Sequence, residues 1–412
     1  MQHRPRATGP TAASPSPDAR RPLRIACVTE TYPPEVNGVS LTVARMVEGL
    51  RALDHEVQLL RPRQAGERPL LTVPRSREVL LPGLPIPRYS GLRMGMPSGR
   101  ALAQLWAARR PDVVHIATEG PLGWSALRVA SRLGLPVCSD FRTNFHAYTE
   151  HYGIGWLRRP ILGYLRGFHN RTSCTMVPTE ALRRELADAG FQRLEVVSRG
   201  VDTAQFSPMR RDAGLRARWG ADGDTLVVGC FGRLAPEKNL DALLESFAAV
   251  RLRVPGARLL LVGSGPLEAR LRAACPDAIL AGQRRGADLA AHYASADLFL
   301  FPSLTETFGN VTIEAMASGL PVVAYDYAAA SQVIAAGENG VRVPFGDRRA
   351  FVDAALALAQ DAPARRRLGA AARERALQLD WSAIVRRFET TLRISMRHRA
   401  RAARLPGLGV QP

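Results

Sequence analysis

The strongest constraint in this sequence is a rhythm. Short apolar runs bounded by turn residues alternate, almost from end to end, with stretches whose apolar residues recur at helical spacing. Such a chain folds into parallel sheets built from βαβ units, because each parallel strand needs a long crossover before the next one. LRIACVT (23–29), EVQLLRP (56–62), DVVHIA (112–117), PVCSDF (136–141) and CTMVPT (174–179) form a first series. A second series begins after residue 200: TLVVGCFG (225–232), RLLLVGSG (258–265), AILAG (278–282), DLFLFPS (297–303) and PVVAYD (321–326). A helix is expected from Val39 to Leu53, after the loop ETYPPEVNG. Between the two series, VSRGVDTAQFSPMRRDAG carries turn residues and no helical period, and reads as a linker. The expected division is a disordered tail at 1–22, one Rossmann-like domain at 23–198, a second at 199–380, and a basic helix at 381–404.

Ligands of such sheets sit beyond the carboxyl ends of the strands, so the loops there should carry the chemistry. ETFGNVTIEAMASGLPVV is the most informative of them. Glu306 and Glu314 are separated by seven residues. Asn310 is a good N-cap, which predicts a helix from Val311 with Glu314 in its first turn. The amides of Phe308, Gly309 and Asn310 would then face a cleft, and Gly309 would let the backbone approach a ligand closely. Singly, each glutamate reads equally well as a dipole-favoured or solvated acid.

Arg233 and Lys238 stand in GRLAPEKN after another strand. Lys238 is the only lysine among 56 Lys and Arg residues, which points to a position where a compact ammonium is needed. Gly38 lies in NGVS after the first strand, Arg199 in VSRGVD, His146 in SDFRTNFHAY and Gln283 after AILAG. VGSGP lacks the third glycine of a dinucleotide fingerprint. Asp222-Gly223-Asp224 sits in a turn where those residues are expected anyway, so no metal is assigned to it.

Together these segments resemble glycosyltransferase family 4 over residues 23–400. The resemblance implies an α/β protein of the GT-B fold: two Rossmann-like domains with parallel sheets facing a central cleft, and a C-terminal helix returning toward the N-terminal domain. It implies a retaining hexosyltransferase with an N-terminal acceptor domain and a C-terminal donor domain, working without a cofactor or a bound metal. On that likeness Glu306 contacts the donor sugar and Glu314 the nucleotide ribose. Arg233 and Lys238 clamp the diphosphate, and Arg199 reaches it from the linker. Gly38, Phe308, Gly309 and Asn310 border the donor, Gln283 meets the base, and His146 lies near the reacting sugar carbon. Family members often read His-Thr where this chain has Arg142-Thr143. Within the family the resemblance is to bacterial GDP-mannose-dependent α-mannosyltransferases acting on lipid acceptors. UDP-sugar-dependent diacylglycerol glucosyl- and sulfoquinovosyltransferases look nearly as similar, and a sugar-nucleotide epimerase shares the fold.

A net charge of +19 raises two further partners, nucleic acid and an anionic membrane surface. No nucleic-acid reader motif accompanies the charge, so nucleic acid is not expected. GWLRRPILGYLRGFHNR (155–171) interleaves Trp156, Ile161, Leu162 and Tyr164 with Arg158, Arg159, Arg166 and Arg171, and LRMGMP (92–97) adds an apolar loop. Such a surface suits an anionic bilayer interface. Packing on the N-terminal domain is an equal reading of that helix. Five scattered cysteines without a metal-type pair, and an N-terminus without an apolar segment, point to a reduced, cytoplasmic protein on the inner face of the cytoplasmic membrane.

Overall fold

The computed structural model describes residues 21–35, 38–64, 66–67, 77–85, 93–142, 158–306 and 308–404. In chain order the first half contributes β1 (Arg24–Val28), β2 (Glu56–Pro62), β3 (Glu78–Leu81), the antiparallel pair β4 (Gly83–Pro85) and β5 (Arg93–Gly95), then β6 (Val113–Ile116), β7 (Val137–Asp140), β8 (Cys174–Val177) and β9 (Leu194–Val196). All but the pair join one parallel sheet in the order β3-β2-β1-β6-β7-β8-β9. The second half contributes β10 (Val227–Phe231), β11 (Arg258–Val262), β12 (Ile279–Gly282), β13 (Leu298–Phe301), β14 (Val322–Tyr325) and β15 (Val341–Val343). They form a second parallel sheet, β12-β11-β10-β13-β14-β15.

The near-continuous apolar runs follow from this architecture, because helices cover both faces of each sheet and leave no face for polar residues. Val227, Phe231, Leu260 and Phe299 pack into one core of the second half, and Val228, Cys230, Leu259 and Leu298 into another on the opposite face. Strand order reverses between β1 and β6 in the first sheet and between β10 and β13 in the second. These switch points open a crevice at the carboxyl ends of the strands.

The C-terminal helix Trp381–Arg404 returns to the first half, as expected. Ile384, Val385, Phe388 and Leu392 share a core with Val43, Met46, Val47 and Leu50 of the helix Gly38–Ala52. A Cβ added at Gly49 would lie 2.4 Å from a Val385 methyl, so the two helices meet on that glycine. The chain crosses between halves a first time near Val201, whose N–H donates to Leu379 O at 3.0 Å beside the second crossing. Arg373 braces this hinge by donating to the carbonyls of Thr203, Phe206 and Ala317.

One local expectation is corrected, and one open alternative is decided. The linker carries the turn Pro208–Arg210 and the short helix Ala213–Arg218, the latter capped by Asp212 accepting from Leu215 N. The helix Arg158–His169 spends much of its apolar surface inward: Ile161 and Leu162 pack against the core formed by Phe141, Leu165, Val177, Leu186 and Phe191. Tyr164 remains 46% exposed, its hydroxyl donating to Glu119 O. Trp156 lies outside the described residues. Among the described residues no helix is long and apolar enough to cross a membrane.

Candidate active site

Two strands adjacent at the second switch point place the central pair. The loop after β10 carries Lys238, and the loop after β13 carries Glu306. The loops are tied by backbone: Leu304 N donates to Glu237 O at 3.1 Å. Lys238 Nζ forms a short ion pair with Glu306 Oε1, and the two side chains are 17% and 15% exposed. Ser303 Oγ donates to the same oxygen at 2.9 Å, and Tyr327 donates to Glu306 O at 3.1 Å. A shielded carboxylate with two such anchors, on a backbone held by a third, has a defined orientation, which a solvated loop acid lacks.

Arg199 joins this pair to the first half. It is 6% exposed, with Nη1 3.5 Å from Asn310 Oδ1 and its guanidinium 5.8 Å from the Phe308 ring centroid. Gly38 lies against it, since a Cβ there would stand 3.2 Å from Arg199 Nη1. Burial and the neighbouring Arg142 guanidinium lower the Arg199 pKa to about 9, against the opposing pull of Glu306 and Asp140. Gly38, Arg199, Asn310, Glu306 and Lys238 thus converge on one junction.

The helix after this loop is Asn310–Ala317, one residue earlier than the spacing predicts. Gly309, not Asn310, is its N-cap, at φ +92°, a conformation glycine adopts without strain. Asn310 is thereby freed to face Arg199. Its first amides are the orphan donors any helix start leaves, and the macrodipole adds positive potential there. Glu314 consequently falls beyond the first turn. Its Oε2 accepts from the Tyr293 hydroxyl at 2.9 Å, and burial, opposed by that bond, pushes its pKa up to about 7. The Phe308 ring is 1% exposed in the core, which leaves its backbone to border a ligand.

Arg233 is not drawn to the pair. Its side chain is 69% exposed and 3.7 Å from Glu237, a local partner four residues on. Gln283 is exposed, one residue past Gly282, whose carbonyl accepts from Gly263 N at 2.9 Å. His146 lies outside the described residues. Among the described residues no group of His, Cys, Asp and Glu could hold a metal ion. Sequence reasoning missed Tyr293 and Ser303, which only folding brings to the two glutamates. It noted Arg142 as a departure but not its partners Asp140 and His115, on neighbouring strands.

Comparison with known proteins bears on the fold and the family. A family model described as Glycosyltransferase Family 4 matches residues 36–205, and one described as Glycosyl transferases group 1 matches residues 225–361. A GDP-mannose-dependent alpha-mannosyltransferase of Mycobacterium tuberculosis is 36% identical over 366 residues, covering 88% of this chain and 94% of that one. Sulfoquinovosyl transferase SQD2 of Arabidopsis thaliana is 30% identical, covering 88% and 72% respectively. Sucrose-phosphate synthase of Thermosynechococcus elongatus superposes with a TM-score of 0.70 at 21% identity, over 90% of this chain and 98% of that one, a likeness of fold. Two parallel-sheet domains of GT-B type and relatives that span nearly the whole sequence lead to one assignment: the chain belongs to glycosyltransferase family 4.

Proposed function

We propose that this glycosyltransferase moves mannose from GDP-mannose to a hydroxyl of a lipid or glycan acceptor, with retention at the anomeric carbon. The observation that carries the reading is the charge balance at the junction. Lys238 and the buried Arg199 come together there beside the start of the helix Asn310–Ala317, and among the described residues only Lys238 of the two is paired with a carboxylate, Glu306, which leaves a surplus of positive potential suited to a dianionic diphosphate. Cations fixed in a partly buried site stabilise the charge that grows on a departing diphosphate. They can do so without a metal, and we assign none. The mannosyltransferase relative favours GDP-mannose as donor.

In this reading the first half takes the acceptor and the second the donor, with the division at residues 198 and 199. Lys238, Arg199 and Arg233 meet the diphosphate, beside the amides at Gly309 and Asn310 and the backbone of Phe308. Glu306 accepts from sugar hydroxyls, Glu314 from the ribose, and Gln283 borders the base. Gly38 allows close approach, and His146 lies by the reacting carbon. The acceptor oxygen bonds to the anomeric carbon on the face from which the diphosphate leaves, and a departing phosphate oxygen takes the hydroxyl proton. An anionic membrane surface is part of the proposal: Leu84 and Met94, opposite each other on β4 and β5, are 50% and 39% exposed beside Arg93.

The test is to supply GDP-mannose or UDP-glucose with membrane lipids and determine the anomeric configuration of the product by NMR. Transfer from GDP-mannose giving the α-linked sugar supports the reading. Transfer only from UDP-glucose favours a diacylglycerol glycosyltransferase, the second reading suggested by the SQD2 relative. An inverted product, or a donor that is merely epimerised, refutes it.

A further inference from the structure

One group of side chains at the junction has a shape that stability does not explain. Asp140 ends β7 and is 3% exposed; His115, on the adjacent β6, is 2% exposed. His115 Nε2 lies 3.0 Å from Asp140 Oδ2, and Arg142 donates to the same oxygen from Nε at 2.9 Å and Nη2 at 2.6 Å. The other imidazole nitrogen is 3.5 Å from Cys27 Sγ. Burial works against a charged imidazole, but Asp140 outweighs it and pushes His115 up to about 10. Burial likewise opposes the carboxylate, and Arg142 and His115 hold Asp140 well below its usual range. Buried ionic groups of this kind add little net stability over apolar residues of the same volume. What the arrangement does achieve is orientation. It fixes the guanidinium fork of Arg142 at the carboxyl end of β7, with Nη1 lacking an acceptor among the described residues.

Beside that fork stands Arg199. Its Nε is buried without a hydrogen-bond partner, and among the described residues it forms no ion pair. Arg199 therefore keeps a buried N–H unfilled close to the oriented fork of Arg142. That state is costly unless an anion completes it.

We infer that Arg142, held in place by Asp140 and His115, is a ligand of the departing diphosphate and acts with Arg199 from the acceptor side of the cleft. The inference rests on the donor reading above and extends it, since no role in the reaction is otherwise given to Arg142. Asp140 and His115 are positioning residues: Asp140 holds Arg142 directly, and His115 holds Asp140.

Calorimetric titration of the full chain with GDP, UDP and the parent nucleosides separates the possibilities. Asp140 keeps His115 as a counter-charge when Arg142 is removed, and a melting curve of each variant checks that it folds. Arg142→Ala is expected to weaken the preferred nucleoside diphosphate roughly ten- to hundredfold, the worth of one charge-assisted contact, while leaving nucleoside affinity unchanged. Arg142→Lys should recover part of the loss. Asp140→Asn, which keeps the volume and removes the charge, should lower diphosphate affinity and kcat without altering nucleoside binding. Wild-type diphosphate affinity in Arg142→Ala overturns the inference and leaves the donor reading standing. So does an equal loss of nucleoside affinity. If the unaltered protein binds neither diphosphate, both fall together.

Discussion

Replacing Glu314 with glutamine should stabilise the protein above neutral pH while weakening its hold on the donor. The carboxyl group of Glu314 titrates near 7 in the folded chain against an ordinary value of 4.5. A raised carboxylate pKa means that the folded state holds its proton more tightly than the unfolded one. The associated stability is present below pH 4.5 and is lost as pH rises toward 7, after which the curve is flat. At about 1.4 kcal/mol per pH unit, the ceiling on that loss is about 3 kcal/mol. Partial access to water reduces it, and 1–2 kcal/mol is a working figure at roughly that scale. Glutamine keeps the shape and can still accept from the Tyr293 hydroxyl, 2.9 Å away. Glu314→Gln should therefore melt with the parent at pH 5 and about 2–6 °C above it at pH 8. Glu30 is also pushed up to about 7, by burial against the opposing amides of Leu122 and Gly95. The informative quantity is thus the difference between the two melting profiles from pH 4.5 to 8.5, in which the Glu30 contribution cancels. In the same samples the variant should bind nucleoside diphosphate more weakly, since a neutral amide is a poorer acceptor for a ribose hydroxyl. Superimposable profiles at every pH would show that Glu314 is not held in a desolvated site, and the reasoning would fail.

Lys238→Ala removes the partner of Glu306 and at least one charge-assisted contact. We expect a loss of ~1.5–3 kcal/mol in kcat/KM, with melting temperature nearly unchanged; steady-state assay with varied donor measures it. Gly263→Ala should be far more damaging to folding. Gly263 has φ +142°, and a Cβ there would stand 1.8 Å from Gly232 O, a backbone atom that cannot move aside. Chemical denaturation should show a loss of about 3 kcal/mol or more, or no soluble protein. Gly49→Leu should pry the C-terminal helix from the helix Gly38–Ala52, where Val385 fills the space over Gly49. Limited proteolysis should then release the segment after Trp381 much earlier than in the parent.

Much of the architecture was legible in the primary structure, for a definite reason. A strand buried on both faces must be apolar nearly throughout, so β1, β6, β7, β8, β10, β11 and β13 announce themselves. β3, β9 and β15 escaped notice: they are strands of three or four residues at sheet edges, too short to carry a pattern. Glu306 and Lys238 stood out because they follow strong strands, where open sheets hold ligands, and Glu314 because it lies at a fixed spacing from Glu306 in the helix that follows. The helix start at Gly309 was misjudged by one residue, since an N-cap preference for asparagine competes there with a left-handed conformation that favours glycine.

What the order of residues determined by itself is therefore the pair of parallel sheets, the loops that bear the charge and the family. Burial and periodicity are local properties, and they survive in one dimension. Partnership does not. That Arg233 turns to Glu237 while Lys238 takes Glu306, that Tyr293 meets Glu314, and that Arg142 and Arg199 come to lie side by side are matters of three-dimensional closure. Apart from Arg233 and Glu237, four residues apart, each contact joins groups whose separation along the chain carries no information about their distance in space, so only the packed tertiary structure could decide them.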